Sequence, residues 1–522
     1  MDRIDLTSNQ QDYAVFLPAI STFYATFIGN QRKDPNYIPQ SRLPAGFTKD
    51  VEGLNYLDNS NGYFNYRWSL YSAGHATLDL NKPAPREAML RDRDRSNSFL
   101  LGDSGGFQIG KGLWEGDWKD PNCPRATKKR AEVLSWLDGI ADYGMCLDVP
   151  AWVALSQKGR EKTGINSYAE AAAATRNNNE YFIRNRNGNC KFLNVMQGEN
   201  HTEADDWYNR MKDFCDPKAY PGEHFNGWAL GGQNTADIHL ALRRIVQIMH
   251  DGLLEKGKHD WMHFLGTSKL EWTLLLTDIQ RGVRKNHNEN FTISFDCASP
   301  FLATANGQIY TDIDLQDGKK WVYRMLPSVD HKKYATDNRK LSDALLQDGI
   351  FKKFEDSPIS ELMQIKDVCV YKPGDLNKIG KEGRTSWDSF SYALQMGHNV
   401  WMHIQAVQRA NYEKDNGIWP AMLVRDMDKQ TSTDIISEIF AANSYSRSME
   451  LIDEHNRFWL QIVGRGGANS NTGKKATNAK TMFAQLFEVT EPVVVEHDDE
   501  FDDTEVSNLE KLEESTENDP LG

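Results

Sequence analysis

Six short apolar runs, each giving way to glycine or a polar residue, set the strongest limit on how this chain can fold. They are FLLGDSGG (to Asp103), MCLDVP (to Asp148), KFLNVMQG (to Gln197), GWALGGQ (to Gly231), MHFLGTS (to Gly266) and FTISFDCAS (to Asp296). Their ends lie about 30 to 50 residues apart, and helical stretches such as ATKKRAEVLSWLDGIADYG (126–144) and ADIHLALRRIVQIMHDGLLEKG (236–257) fill several of the gaps. That alternation predicts parallel strands joined by helical crossovers. An open doubly wound sheet would concentrate function at one switch point. A closed barrel gathers the C-terminal ends of all its strands around one mouth. Ends bearing Asp, Asp, Gln, Gly-Gly, Gly and Asp fit such convergence. The expected fold is therefore α/β, a (β/α)8 TIM barrel with insertions and a C-terminal extension.

YAVFLPAIS (13–21) supplies an early strand, and SWDSFSYALQMGHNVWMHIQAVQRANYE (386–413) reads as a long late helix. We expect the barrel over residues 10–415, with a polar, irregular insertion over about 300–385. A small appended region should cover 416–492, and an acidic tail, expected to be disordered, 493–522. No repeat of fixed period is present.

Charge narrows the partners only after it is located. Of the formal net charge of −14, residues 496–522 hold −11, which leaves −3 for the rest of the chain. Basic clusters lie at RDRDR (91–95), KKR (128–130), HKK (331–333) and GRGGANSNTGKKATNAK (464–480). Each taken singly reads as solvated surface. The last is not a phosphate loop, because Gly467 and Gly473 enclose five residues instead of four and Lys475 stands where Ser or Thr is required. It reads as a basic loop suited to gripping a nucleic-acid strand. Six cysteines without a CxxC pair do not make a disulfide scaffold. VFLPAISTFYATFIG is too short and too polar to span a bilayer, and MDRIDLTSNQQDY lacks the order of a signal peptide. The expectation is a cytoplasmic protein with no membrane partner.

GDSGGF (102–107) resembles the nucleophile motif of trypsin-like proteases, which would make Ser104 the attacking group. That chemistry needs an upstream histidine base and a buried aspartate before a late serine. Here the serine comes early, with only His75 before it, and the surroundings alternate helix and strand. The glycines instead suggest a backbone that passes close to a flat ligand.

The motifs DSGGFQ (103–108), LDVP (147–150), VMQG (195–198), ALGGQ (229–233), FLGT (264–267) and FDC (295–297) together resemble the queuine/archaeosine tRNA-guanine transglycosylases in order and spacing. The likeness runs from about residue 13 to 300 and includes HN (398–399) in the late helix. It implies a (β/α)8 barrel that removes guanine from a nucleotide and installs a 7-deazaguanine, without a cofactor. Retention at C1′ calls for a nucleophilic carboxylate and a second acid/base group acting in two displacements. The resemblance makes Asp296 the nucleophile and Asp103 the acid/base. It makes Ser104, Asp148, Gln197, Gly231, Gly232 and Gln233 contacts to the base, with Phe107 and Leu265 sandwiching the ring. The bland alternatives are helix caps, turns and ordinary packing.

Two departures bear on the substrate. The tRNA enzymes carry a structural zinc site written CxCxxC with a later histidine. DVCVYKPGD offers only Cys369 before His398, so no metal is expected and His398 should be a packed core histidine. FDC is followed by ASPFLATANG instead of the family's Pro-Thr-Arg element. Both losses are similar to the DNA-guanine transglycosylase branch found in bacteria and their phages. That resemblance implies DNA and a free 7-deazaguanine base as partners, the result being protection against restriction. The resemblance places Gln233 beside the C7 substituent, where an amide points to 7-cyano-7-deazaguanine. The alternatives are a tRNA-guanine transglycosylase with a degenerate zinc site and a noncatalytic nucleic-acid-binding paralogue.

Overall fold

In the computed structural model, eight parallel strands succeed one another around a single ring. It describes residues 12–29, 32, 37–80, 87–267, 269–315, 321–328, 332–341, 357–369, 389–425 and 427–463. The basic stretch 464–480, the acidic tail and parts of the insertion lie outside the described residues. The strands are β1 (Val15–Pro18), β2 (Trp68–Ser72), β3 (Phe99–Asp103), β4 (Tyr143–Met145), β5 (Lys191–Met196), β6 (Gly227–Leu230), β7 (Trp261–Phe264) and β8 (Thr292–Cys297). They pair in the order β1-β8-β7-β6-β5-β4-β3-β2, every pair parallel. A bridge between Ala19 and Leu70, with the Ile20 N–H donating to the Leu70 carbonyl at 3.0 Å, joins β1 to β2 and closes the ring. The fold is a (β/α)8 barrel.

Local chemistry explains where the crossover helices begin. Ser167, Asn200 and Asp237 each cap a helix N-terminus through a side-chain oxygen, starting Tyr168–Asn185, His201–Met211 and Ile238–His250. Between β3 and β4 a short helix (Gly106–Gly110) precedes the long crossover helix Pro124–Ile140, which starts with a proline where no backbone N–H is needed. The helix predicted over 236–257 stops at His250, because Gly252 takes a left-handed conformation (φ +76°) that ends it.

β2 is the one barrel strand that the apolar runs did not announce. WSLYS is broken by two serines, yet Trp68, Ser69, Leu70 and Tyr71 are all buried. Burial is tolerated because each hydroxyl finds an acceptor. Ser69 donates to the Phe99 carbonyl at 3.4 Å and Ser72 to Asp103 at 2.6 Å. β4 is shorter than expected. It stops at Met145, and the Val149 N–H turns away to donate to Thr175 Oγ1 at 2.9 Å, so Asp148 stands on a loop beyond the strand.

After β8 the chain leaves the ring for an insertion. A helix (Ser299–Ala305) leads into an antiparallel hairpin of β9 (Gln308–Asp314) and β10 (Val322–Pro327). The last barrel helix, Ser389–Asp415, holds this insertion through its HN pair. Asn399 Oδ1 accepts from the Tyr310 N–H at 2.8 Å, and Asn399 Nδ2 donates to Thr304 Oγ1 at 2.9 Å. His398 Nε2 meets the Tyr310 carbonyl at 2.7 Å, and its Nδ1 meets Ser357 Oγ at 2.9 Å. Both ring nitrogens are thereby used, and burial pushes the imidazole down to about 4. The described residues here do not fit a zinc. Cys369 is a single thiol and His398 is already committed to its two partners. Among the described residues, no cluster of three metal-binding side chains is placed to hold an ion.

Residues 432–463 form three helices, Ser432–Ala441, Tyr445–Glu454 and Asn456–Val463, docked on the barrel helices Leu270–Asn286 and Ile238–His250. A buried ion pair fixes the joint. Lys414 at the end of the last barrel helix meets Asp278, which also accepts from Thr433 Oγ1 at 2.9 Å and Ser432 Oγ at 3.3 Å. Among the described residues, no helix is long and apolar enough to cross a membrane.

The barrel interior is layered. Trp68, Phe99, Tyr143 and Trp261, from the starts of four strands, pack ring against ring, with Phe99 and Trp261 stacked at 4.5 Å. This aromatic floor closes the end opposite the mouth.

Candidate active site

The mouth is built from the C-terminal ends of the strands and the loops that leave them. Asp103 ends β3, and Gly105 turns the chain immediately after it in the left-handed region (φ +77°). Gly106 is required for a different reason than room for a flat ligand. A Cβ there would lie 2.4 Å from Asp148 Oδ1, so the space it leaves is filled by that carboxylate. The motifs around Asp103 and Asp148 are therefore parts of one packed unit.

Asp148 is 7% exposed and accepts from Gln197 Nε2 at 2.8 Å. Burial, aided by the negative field of Asp103 and opposed by the Gln197 bond, lifts its carboxyl to about 7. Gln197 in turn touches the β6 loop, since Cβ atoms at Gly231 and Gly232 would lie 3.0 Å from its Nε2 and 3.1 Å from its Oε1. Gly232 is left-handed (φ +58°). The N–H groups of Gly231 and Gln233 donate to the carbonyls of Met196 (2.8 Å) and Gly198 (3.0 Å). Among the described residues the Gly232 N–H has no such acceptor. Gln233 is buried at the start of the turn Gly232–Thr235.

Asp103 is partly accessible. Its Oδ2 accepts from Ser72 Oγ at 2.6 Å and its Oδ1 from the Gly105 N–H at 3.2 Å. Burial raises its pKa, the two hydrogen bonds oppose this, and the negative charge of Asp296 adds to the rise. The negative charge of Asp296 thus bears on Asp103, and that of Asp103 on Asp148.

Asp296 sits near the end of β8 with its side chain 13% exposed. Oδ1 accepts from the Gly266 N–H at 2.8 Å and contacts His263 Nε2 at 3.1 Å. Oδ2 accepts from no described residue. One oxygen is therefore anchored and the other is available.

Of the remaining expected contacts, Leu265 is half-buried on the β7 loop, its N–H donating to the Leu230 carbonyl at 3.0 Å. Phe107 is half-buried with its ring 5.7 Å from Trp152 and the Lys111 ammonium 5.3 Å from its centre. Ser104 is 1% exposed, and its hydroxyl donates to the Cys146 carbonyl at 3.1 Å. Among the described residues no histidine engages it, so the protease resemblance has no counterpart in their geometry.

Two residues at the site escaped the sequence reading. Ser72 lies on the unannounced strand β2. Its only signal was the small-residue turn next to it, where the Gly74 N–H donates back to Ser72 Oγ at 3.1 Å. His263 is the single polar residue of WMHF and reads as core until its neighbours are known.

No family model matches the chain, and no curated protein matches it.

Proposed function

We propose that this protein is a DNA-guanine transglycosylase, exchanging guanine in DNA for a 7-deazaguanine, with 7-cyano-7-deazaguanine as the incoming base. The observation that carries the reading is the division of labour between two carboxylates at one mouth. Asp103, raised by burial, can hold a proton, while Asp296 has one oxygen anchored and one available.

In the first half, Asp296 Oδ2 forms a bond to C1′ as the C1′–N9 bond breaks. The electron pair leaves with guanine, which takes a proton from Asp103 and departs neutral. In the second half, Asp103 removes a proton from the incoming base, whose nitrogen attacks C1′. The C1′–Oδ2 bond breaks and its pair returns to the Asp296 carboxylate. Two inversions give net retention. Asp148 accepts from N1–H and the 2-amino group of the base, and Gln197 with the Gly232 N–H serves O6. Guanine in a duplex must first be unstacked and flipped out to reach this mouth.

The commitment of His398 to Tyr310 and Ser357 favours the DNA branch, in which the zinc site is absent. The test is incubation of the protein with labelled 7-cyano-7-deazaguanine and either DNA or tRNA. Label in DNA is expected. Label in tRNA alone would assign the tRNA activity, and base binding without uptake by either polymer would make the chain a noncatalytic paralogue.

A further inference from the structure

Beneath Asp296 a chain of hydrogen bonds runs down the inside of the barrel. Trp261 Nε1–H donates to Ser294 Oγ at 2.8 Å, Ser294 Oγ lies 2.9 Å from His263 Nδ1, and His263 Nε2 lies 3.1 Å from Asp296 Oδ1. Trp261 and His263 are two residues apart on β7, as Ser294 and Asp296 are on β8, so all four face the lumen. The register pairs His263 directly with Ser294. The order of donors is set by the two ends. An indole can only donate, so Ser294 accepts from Trp261 and has its own proton for Nδ1. A carboxylate can only accept, so the imidazole presents N–H at Nε2. His263 and Ser294 are both fully buried, and the Trp261 ring belongs to the aromatic floor.

We infer that His263 is a positioning residue for Asp296, and that this chain, with the Gly266 N–H, tunes Asp296 as a leaving group. The inference rests on the function proposed above and assigns an atom to each role. Oδ1 is held by two donors, so Oδ2 forms the bond to C1′. In the covalent intermediate Oδ1 becomes the ester carbonyl oxygen, still facing His263 and Gly266. When the incoming base attacks C1′, the C1′–Oδ2 bond breaks and its electron pair spreads over both carboxylate oxygens. Donors waiting at Oδ1 stabilise that developing charge without reorganising. The same donors restrain the carboxylate as a nucleophile, because they stabilise its charge before attack. His263 thus favours breakdown of the intermediate over its formation. A purely structural residue would have no such bias.

The test separates the two half-reactions in the full chain. A guanine-containing DNA oligonucleotide without incoming base loads the covalent adduct, which denaturing electrophoresis resolves. A chase with 7-cyano-7-deazaguanine then tracks its breakdown. His263→Phe should slow the chase on the order of 10- to 100-fold, the worth of one hydrogen bond to a charged group, while loading changes much less. His263→Gln, which keeps an N–H donor, should restore most of the chase rate. Ser294→Ala, which removes the hydroxyl that fixes the imidazole tautomer, should slow the chase in the same direction and decides the matter if His263→Phe does not fold. Equal slowing of both halves, an unchanged chase, or no rescue by glutamine would overturn the inference while leaving the proposed function intact. A wild-type protein that forms no adduct with either DNA or tRNA would instead overturn the function on which it rests.

Discussion

Replacing Asp148 with asparagine should make the protein more stable above neutral pH while weakening its hold on a guanine-like base. Burial lifts this carboxyl from an ordinary 3.8 to about 7. Between those values the folded protein keeps a proton that the unfolded chain releases, so Asp148 makes stability fall as pH rises. Each pH unit of that interval costs ~1.4 kcal/mol, and the full lift costs roughly 4 kcal/mol once the group is ionised in both states. Asparagine keeps an acceptor for Gln197 and carries no charge to bury. Its advantage should approach ~4 kcal/mol near about pH 8 and shrink to ~1.5 kcal/mol near about pH 5. Urea unfolding at the two pH values measures both figures. Calorimetry with guanine should show roughly 10- to 100-fold weaker binding, because a charged double acceptor has been lost. An equal advantage at both pH values, or an asparagine variant less stable near about pH 8, would refute the assigned ionisation.

Ser72→Ala removes a donor that opposes the rise of Asp103, so the carboxyl should climb further. The alkaline limb of adduct formation, which needs protonated Asp103, should then move to higher pH in a pH–rate profile. Gly106→Ala would bring a methyl group within 2.4 Å of Asp148 Oδ1. It should cost ~1–3 kcal/mol of stability by calorimetry and lower base affinity in the same protein. Lys414→Met leaves Asp278 charged and buried, which should cost ~3–5 kcal/mol in chemical unfolding. The double change with Asp278→Leu should recover most of that loss.

Most of the barrel was legible because its strands are short, apolar and stopped by polar residues at the mouth. The same rule hid β2. Its serines break the apolar run, and their burial makes sense only once Asp103 and the Phe99 carbonyl are seen as acceptors. The hairpin β9–β10 was passed over within a stretch read as polar and irregular. Asp148 and Gln197 came from separate motifs, and only the fold shows that they bond directly. His263 carries the sharpest lesson. Its environment comes from Ser294 and Asp296 on the neighbouring strand, some thirty residues later. No local pattern encodes that pairing, which is set by strand register.

The placement of β1 between β2 and β8 also constrains how the molecule is made. Val15–Pro18 is synthesised early, but its partner Ser294–Cys297 emerges some 280 residues later. At ribosomal speed that interval is on the order of tens of seconds. Throughout it, an apolar segment waits without the strand that will cover one of its edges, and the ring stays open between the halves bearing Asp103 and Asp296. Such an edge is a template for unwanted pairing with other chains. Yield in the cell should therefore depend more on shielding this segment, by chaperones or slow growth at low temperature, than on the stability of the finished barrel.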